Sequence, residues 1–152
     1  MYKKILVPLD GSPLAESVLE HVRSIAKCTG AEVVLLRVVT LPVSAYMLAT
    51  DPHFVVNTSD DMQARALEYL NDVAAGLRKE GIPVAIKICS GVVSDTIQEL
   101  AALMQVDLIA MSTHGRGGLA RWVIGSVADQ LVRNAKTPIL LIRPSPKANA
   151  RN

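Results

Sequence analysis

The sequence predicts a single α/β domain: a parallel sheet with helices on both faces, in a doubly wound, three-layer arrangement. Three observations carry that prediction. Five short apolar runs alternate with stretches whose apolar residues recur at helical spacing, giving β-α four times and then a final strand. Half of the 152 residues are hydrophobic, yet only Tyr2, Tyr46, Phe54, Tyr69 and Trp122 are aromatic. The core must therefore be built from Val, Ile, Leu and Ala, which suits parallel strands covered by helices. Consecutive parallel strands also need crossovers, nearly always right-handed, and the helical stretches supply them.

Taken in order, Ile5 to Leu9 reads as the first strand and is followed by the turn Pro8-Leu9-Asp10-Gly11-Ser12. Ser12 is placed to cap a helix with Pro13 in its first turn. That helix shows Leu14, Val18, Leu19, Val22, Ile25 and Ala26, and Gly30 follows its end. The second strand is Val33 to Val39. Thr40 to Thr58 has no clean periodicity and reads either as a lid or dimer contact or as an irregular connection over the sheet. A second helix uses Met62, Ala66, Tyr69, Val73 and Leu77, and Gly81-Ile82-Pro83 separates it from the third strand, Val84 to Cys89. There Val84, Ile86 and Ile88 alternate with Ala85, Lys87 and Cys89, the pattern of an edge. Val93, Ile97, Leu100, Ala101 and Met104 mark a third helix, Leu108 to Met111 a fourth strand, and Val127, Ala128, Leu131 and Val132 a fourth helix. The last strand, within Pro138 to Arg143, is uninterrupted and apolar; open to water at an edge it would be an aggregation hazard, so a second subunit is expected to cover it. Residues 1–146 form the expected domain, with 147–152 a flexible tail.

Composition excludes several function classes. The net charge is +2, from 16 basic and 14 acidic side chains without a Lys/Arg run, so nucleic acid is not an expected partner. No stretch nears the roughly 20 apolar residues of a membrane span, and no secretory cleavage pattern stands near Met1, so a cytoplasmic protein away from membranes is expected. Cys28 and Cys89 lie in no zinc-like cluster and read as buried free thiols. Asp51, His53, Asp60 and Asp61 match no dedicated metal site, while Glu20, His21 and Asp107 read as structural or solvated groups.

Four of the nine glycines fall between Gly115 and Gly125, in a segment that leaves the fourth strand and opens the fourth helix. Glycines there admit a close ligand, and the unpaired N–H groups of a helix start favour an anion, with phosphate the natural occupant. A plain strand-to-helix connection fits the same composition. Neither Gly-x-x-x-x-Gly-Lys-Ser/Thr nor the three-glycine dinucleotide turn is present. Asp10, just past the first strand, stands where ligands collect in open α/β sheets; it would bind a ribose hydroxyl or a magnesium-bound phosphate, or else accept local backbone N–H groups in its turn.

Ile5-Leu6-Val7-Pro8-Leu9-Asp10-Gly11-Ser12, together with Gly115, a nine-residue spacer and Gly125-Ser126, resembles the universal stress protein family, over Lys3 to Pro144. The resemblance implies a five-stranded sheet of order 3-2-1-4-5, of the adenine nucleotide alpha hydrolase-like kind, and a homodimer. It also implies ATP binding through Gly-x-x-Gly-(nine residues)-Gly-Ser/Thr, with Mg2+ carried by the phosphates. By that resemblance Gly115, Gly125 and Ser126 hold phosphate, with the amides of Val127 and Ala128 and the loop residues His114, Arg116 and Gly118 beside them. Asp10 meets the ribose or adenine side, Pro8 and Leu9 line the base, Val38 offers backbone hydrogen bonds to adenine, and Met111 packs on the nucleoside. One departure stands out: the first motif glycine is Ser112 here, whose β-carbon narrows the approach or whose hydroxyl supplies a hydrogen bond.

His114, Arg116 and Arg121 invite catalytic roles, but nothing in the sequence clearly positions a water or stabilises charge as phosphoryl transfer needs, and no catalytic residue is assigned. The expected function is an ATP-responsive module of stress signalling. The alternatives are a slow ATPase and an interaction module of the same fold without nucleotide.

Overall fold

The computed structural model describes residues 1–40, 52–113 and 125–144, with side chains of 52–59 excepted. It contains strands β1 (Lys4–Pro8), β2 (Glu32–Val39), β3 (Val84–Ser90), β4 (Leu108–Ser112) and β5 (Ile139–Ile142). Helices α1 (Pro13–Glu16), α2 (Leu19–Thr29), α3 (Pro52–Lys79), α4 (Val93–Leu103) and α5 (Ser126–Asn134) connect them. All strand pairs are parallel, as the alternation predicts, and the order is β3-β2-β1-β4-β5, as the family resemblance implies.

Strand alternation sends side chains to two cores. Ile5, Val7, Val33 and Leu35 face α1, α2 and α3, where Val18, Val22, Leu70 and Leu77 are fully buried. Leu6, Val34, Leu36 and Ile109 face α4 and α5, against Ile97, Ala101, Ala128 and Leu131. β1 is fully buried over Ile5, Leu6 and Val7, as a strand central to a parallel sheet must be. β3 is one edge: Val84, Ile86 and Ile88 pack on the first core while Lys87 is exposed. β5 is the other, and its four residues are only half-buried. At the amino end of the sheet, Asp107 Oδ2 accepts the amides of Lys3 and Lys4, both at 2.8 Å, so this carboxylate ties β1 to the entry of β4.

Three expectations are corrected. The first helix is two: Ser17 donates both its amide (3.2 Å) and its hydroxyl (2.7 Å) to Leu14 O, a three-residue closure that competes with the α-helical ladder and breaks it before Val18. α3 begins at Pro52, inside the segment read as irregular. The β-branched and short polar residues between Phe54 and Asp61 are weak helix formers that hide it, but the strong run from Met62 to Lys79 propagates backwards to a proline, which is tolerated in a first turn. The rest of that segment, 41–51, lies outside the described residues. Finally, Cys28 is exposed and Cys89 half-buried, because the inward stripe of α2 runs through Leu19, Val22 and Ala26 and leaves position 28 facing water.

Candidate functional site

β1 and β4 are neighbours, Leu6 lying opposite Ile109, but their chains leave in opposite directions: β1 feeds α1 on one face and β4 leads towards α5 on the other. Such a divergence opens a crevice at the carboxyl ends of the strands. It measures about 500 Å³.

One wall is the β1–α1 turn. Asp10 Oδ1 accepts from the Ser12 amide at 2.9 Å and the Ser12 hydroxyl at 2.6 Å, and Ser12 Oγ in turn accepts from the Ala15 amide at 3.1 Å, capping α1 as expected. Gly11 adopts φ +81°, a left-handed conformation that side chains resist, and lies over the Arg37 guanidinium. Arg37 Nη1 donates to Leu9 O at 3.3 Å, while the Leu9 amide donates to Leu36 O at 2.9 Å, so β2 supports the turn from beneath. The opposite wall is the start of α5. Its N-cap, Gly125, brings no side-chain cap, so the first amides of the helix have no intrahelical acceptor and an anion would complete them. The floor is the end of β4: Met111 and Ser112 are buried, and Ser112 Oγ donates to Leu14 O at 2.8 Å.

Ten of the fourteen residues singled out in the sequence line this one crevice: Pro8, Leu9, Asp10, Val38, Met111, Ser112, Gly125, Ser126, Val127 and Ala128. His114, Gly115, Arg116 and Gly118 lie outside the described residues, as do Arg121 and Trp122. Ala15, Leu36, Arg37, Thr40, Val93 and Ile97 complete the lining and were not anticipated. Val93 and Ile97 carried only a core signal, because they belong to the inward stripe of α4. Arg37 did leave a trace: it is the one charge in the otherwise apolar run Val33 to Val39.

A second hollow of about 450 Å³ adjoins the first, sharing Asp10, Arg37, Val38 and Thr40 and reaching Arg65 and Tyr69 of α3. Tyr69 Oη donates to Glu16 Oε1 at 2.9 Å. Burial first, and then this hydrogen bond and the Glu16 charge, push the Tyr69 hydroxyl well above the ordinary tyrosine value. Among the described residues no group of three His, Cys, Asp or Glu side chains gathers as for a metal ion, and no helix is long and apolar enough to cross a membrane. The Ser112 hydroxyl is directed at a main-chain carbonyl.

The sheet order and the crevice at its switch point define an α/β protein of the nucleotide-hydrolase-like class. The chain belongs to the universal stress protein family, whose pattern matches residues 1–143. It is 31% identical over 147 residues to universal stress protein MJ0531 of Methanocaldococcus jannaschii, covering 97% of this chain and 85% of that one. To universal stress protein MJ0577 of the same organism it is 27% identical, covering 94% and 96% of the two chains. The solved structure of MJ0577 superposes with a TM-score of 0.82 at 27% identity, over 96% of this chain and 99% of that one. A universal stress protein in complex with cAMP shares the fold with a TM-score of 0.69 at 21% identity, covering 95% and 98% of the two chains.

Proposed function

We propose that this chain is an ATP-binding universal stress protein, a nucleotide-responsive module of stress signalling that acts in the cytoplasm as a homodimer. The observation that carries the reading is the crevice between β1 and β4. It has the size of a small-ligand site, an apolar lining from Pro8, Leu9 and Met111 for a base, and the uncapped start of α5 for phosphate. Solved proteins of the same fold support the choice of an adenine nucleotide: one is in complex with cAMP, and an Arabidopsis thaliana member has AMP bound. In this reading Pro8, Leu9, Val38 and Met111 hold the nucleoside and Asp10 meets the ribose side. Gly115, Gly125 and Ser126, with the amides of Val127 and Ala128, hold the phosphates beside His114, Arg116 and Gly118, and Mg2+ arrives with the nucleotide. The module is the domain 1–146, with 147–152 a tail, and its dimer forms through the β5 edge, Pro138 to Arg143. No catalytic residue is assigned.

Mass spectrometry of the nucleotide retained by the purified protein tests this reading. Intact ATP is expected; ADP or AMP would shift the function to slow hydrolysis. A protein that retains nothing and gives no titration signal with ATP would be an interaction module. Gly125 has an ordinary backbone conformation, φ −55° and ψ 153°, so Gly125→Val is expected to abolish ATP binding while leaving the far-ultraviolet circular dichroism unchanged. Undiminished affinity in that variant would remove the glycine segment from the site.

A further inference from the structure

The carbonyl oxygen of Leu14 is the meeting point of three donors: the Ser17 amide at 3.2 Å, the Ser17 hydroxyl at 2.7 Å and the Ser112 hydroxyl at 2.8 Å. The first two are local. The third spans 98 positions and joins the last residue of β4, at the floor of the crevice, to the start of α1. Ser112 is 7% exposed and its strand end is held from the other side, where the Thr113 amide donates to Ile142 O at 2.9 Å. α1, by contrast, has four residues, too few to sustain a helix alone, and only Ala15 among them is buried. The rigid partner in this contact is therefore the sheet, and the dependent one is the turn.

From Leu14 the tie continues to Asp10 without a gap. The next residue, Ala15, donates its amide to Ser12 Oγ at 3.1 Å, and Ser12 Oγ donates to Asp10 Oδ1 at 2.6 Å. Each link lies within one turn of the next, so the hydroxyl of Ser112 is connected to the Asp10 carboxylate, in addition to the support the turn has from β2.

We propose that Ser112 is a positioning residue of the nucleotide site, holding the β1–α1 turn, and with it Asp10, at a fixed distance from the end of β4. This rests on the nucleotide reading given above. It also says what the side chain does at this point of the floor: the hydroxyl gives its one proton to the Leu14 carbonyl, so it is not a donor to a ligand.

The test compares Ser112→Ala, Ser112→Cys and Ser112→Thr by calorimetric titration with ATP and Mg2+ and by amide hydrogen exchange without nucleotide. Ser112→Ala is expected to weaken ATP binding about fivefold, the value of one ordinary hydrogen bond. It should also speed exchange at the amides of Glu16 and Ser17 while leaving β2 and α4 unchanged. Ser112→Thr, which keeps the hydroxyl, should restore both. Ser112→Cys, near-isosteric with a weak donor, carries the same expectation as alanine should the alanine variant fail to fold. In an Asp10→Ala background the loss of the Ser112 hydroxyl should weaken ATP binding no further, because the tie then ends on nothing. Unchanged exchange at Glu16 and Ser17, or an additive loss in the Asp10→Ala background, would overturn the proposal. Failure of the unsubstituted protein to bind ATP would remove the nucleotide reading instead, and the exchange result would still decide whether Ser112 holds the turn.

Discussion

Tyr69 links α3 to α1 through its hydrogen bond to Glu16 and stands beside the crevice in a chain with few aromatic residues. Burial keeps its hydroxyl protonated to a higher pH than in the unfolded chain, where tyrosine titrates near about 10. Above that pH the unfolded state loses its proton while the native state retains it, so unfolding is increasingly favoured as pH rises. Tyr69→Phe removes this component. The stability gap between the native protein and the variant, measured by urea unfolding, should narrow between about pH 9 and about pH 11; parallel curves would contradict the assignment. At this scale the sequence was informative wherever a residue had one reason to be present. Asp10 could be found because a carboxylate just past a strand end stands where ligands collect, and Gly125 and Ser126 because they match the family pattern. Val93, Ile97 and Leu36 could not, since a side chain that lines a crevice at its base has the same apolar character as one in the core. Ser112 was legible as a departure, but the direction of its hydroxyl depends on a residue 98 positions away.

Among the elements, β5 is the least complete. Its parallel partner β4 satisfies one side only, and Ile139, Leu140, Leu141 and Ile142 all remain half-buried in the single chain. An open edge of four consecutive large aliphatic residues favours pairing with another chain. Light scattering on the purified protein should therefore give twice the chain mass of 16.3 kDa; a mass equal to one chain would contradict the dimer. The strands themselves were readable to within a residue or two because each is a short, mainly apolar run, interrupted only by Arg37 in β2 and Lys87 in β3. The helices were less so. The break between α1 and α2 comes from the hydrogen bonds of Ser17, which leave no mark on apolar spacing. The early start of α3 comes from cooperativity acting on a stretch whose own residues favour other conformations.

At the scale of the whole molecule, alternation of strand and helix with right-handed crossovers gives a doubly wound parallel sheet, and its order β3-β2-β1-β4-β5, which the family resemblance implied, creates the crevice as a consequence of topology. Residues far apart in sequence, Asp10 and Ser126 among them, come to one place because β1 and β4 are adjacent and diverge. The same architecture explains why the site's location was foreseeable while its full lining was not: topology names the strand ends, and packing of α4 and α5 fills in the rest. Calorimetric titration of nucleotide-stripped protein with ATP in the presence of Mg2+ tests the proposed occupancy of this crevice. A saturable isotherm with one nucleotide per chain, lost in Gly125→Val, is expected. A titration without saturable heat, in a protein that is folded by circular dichroism, would contradict it.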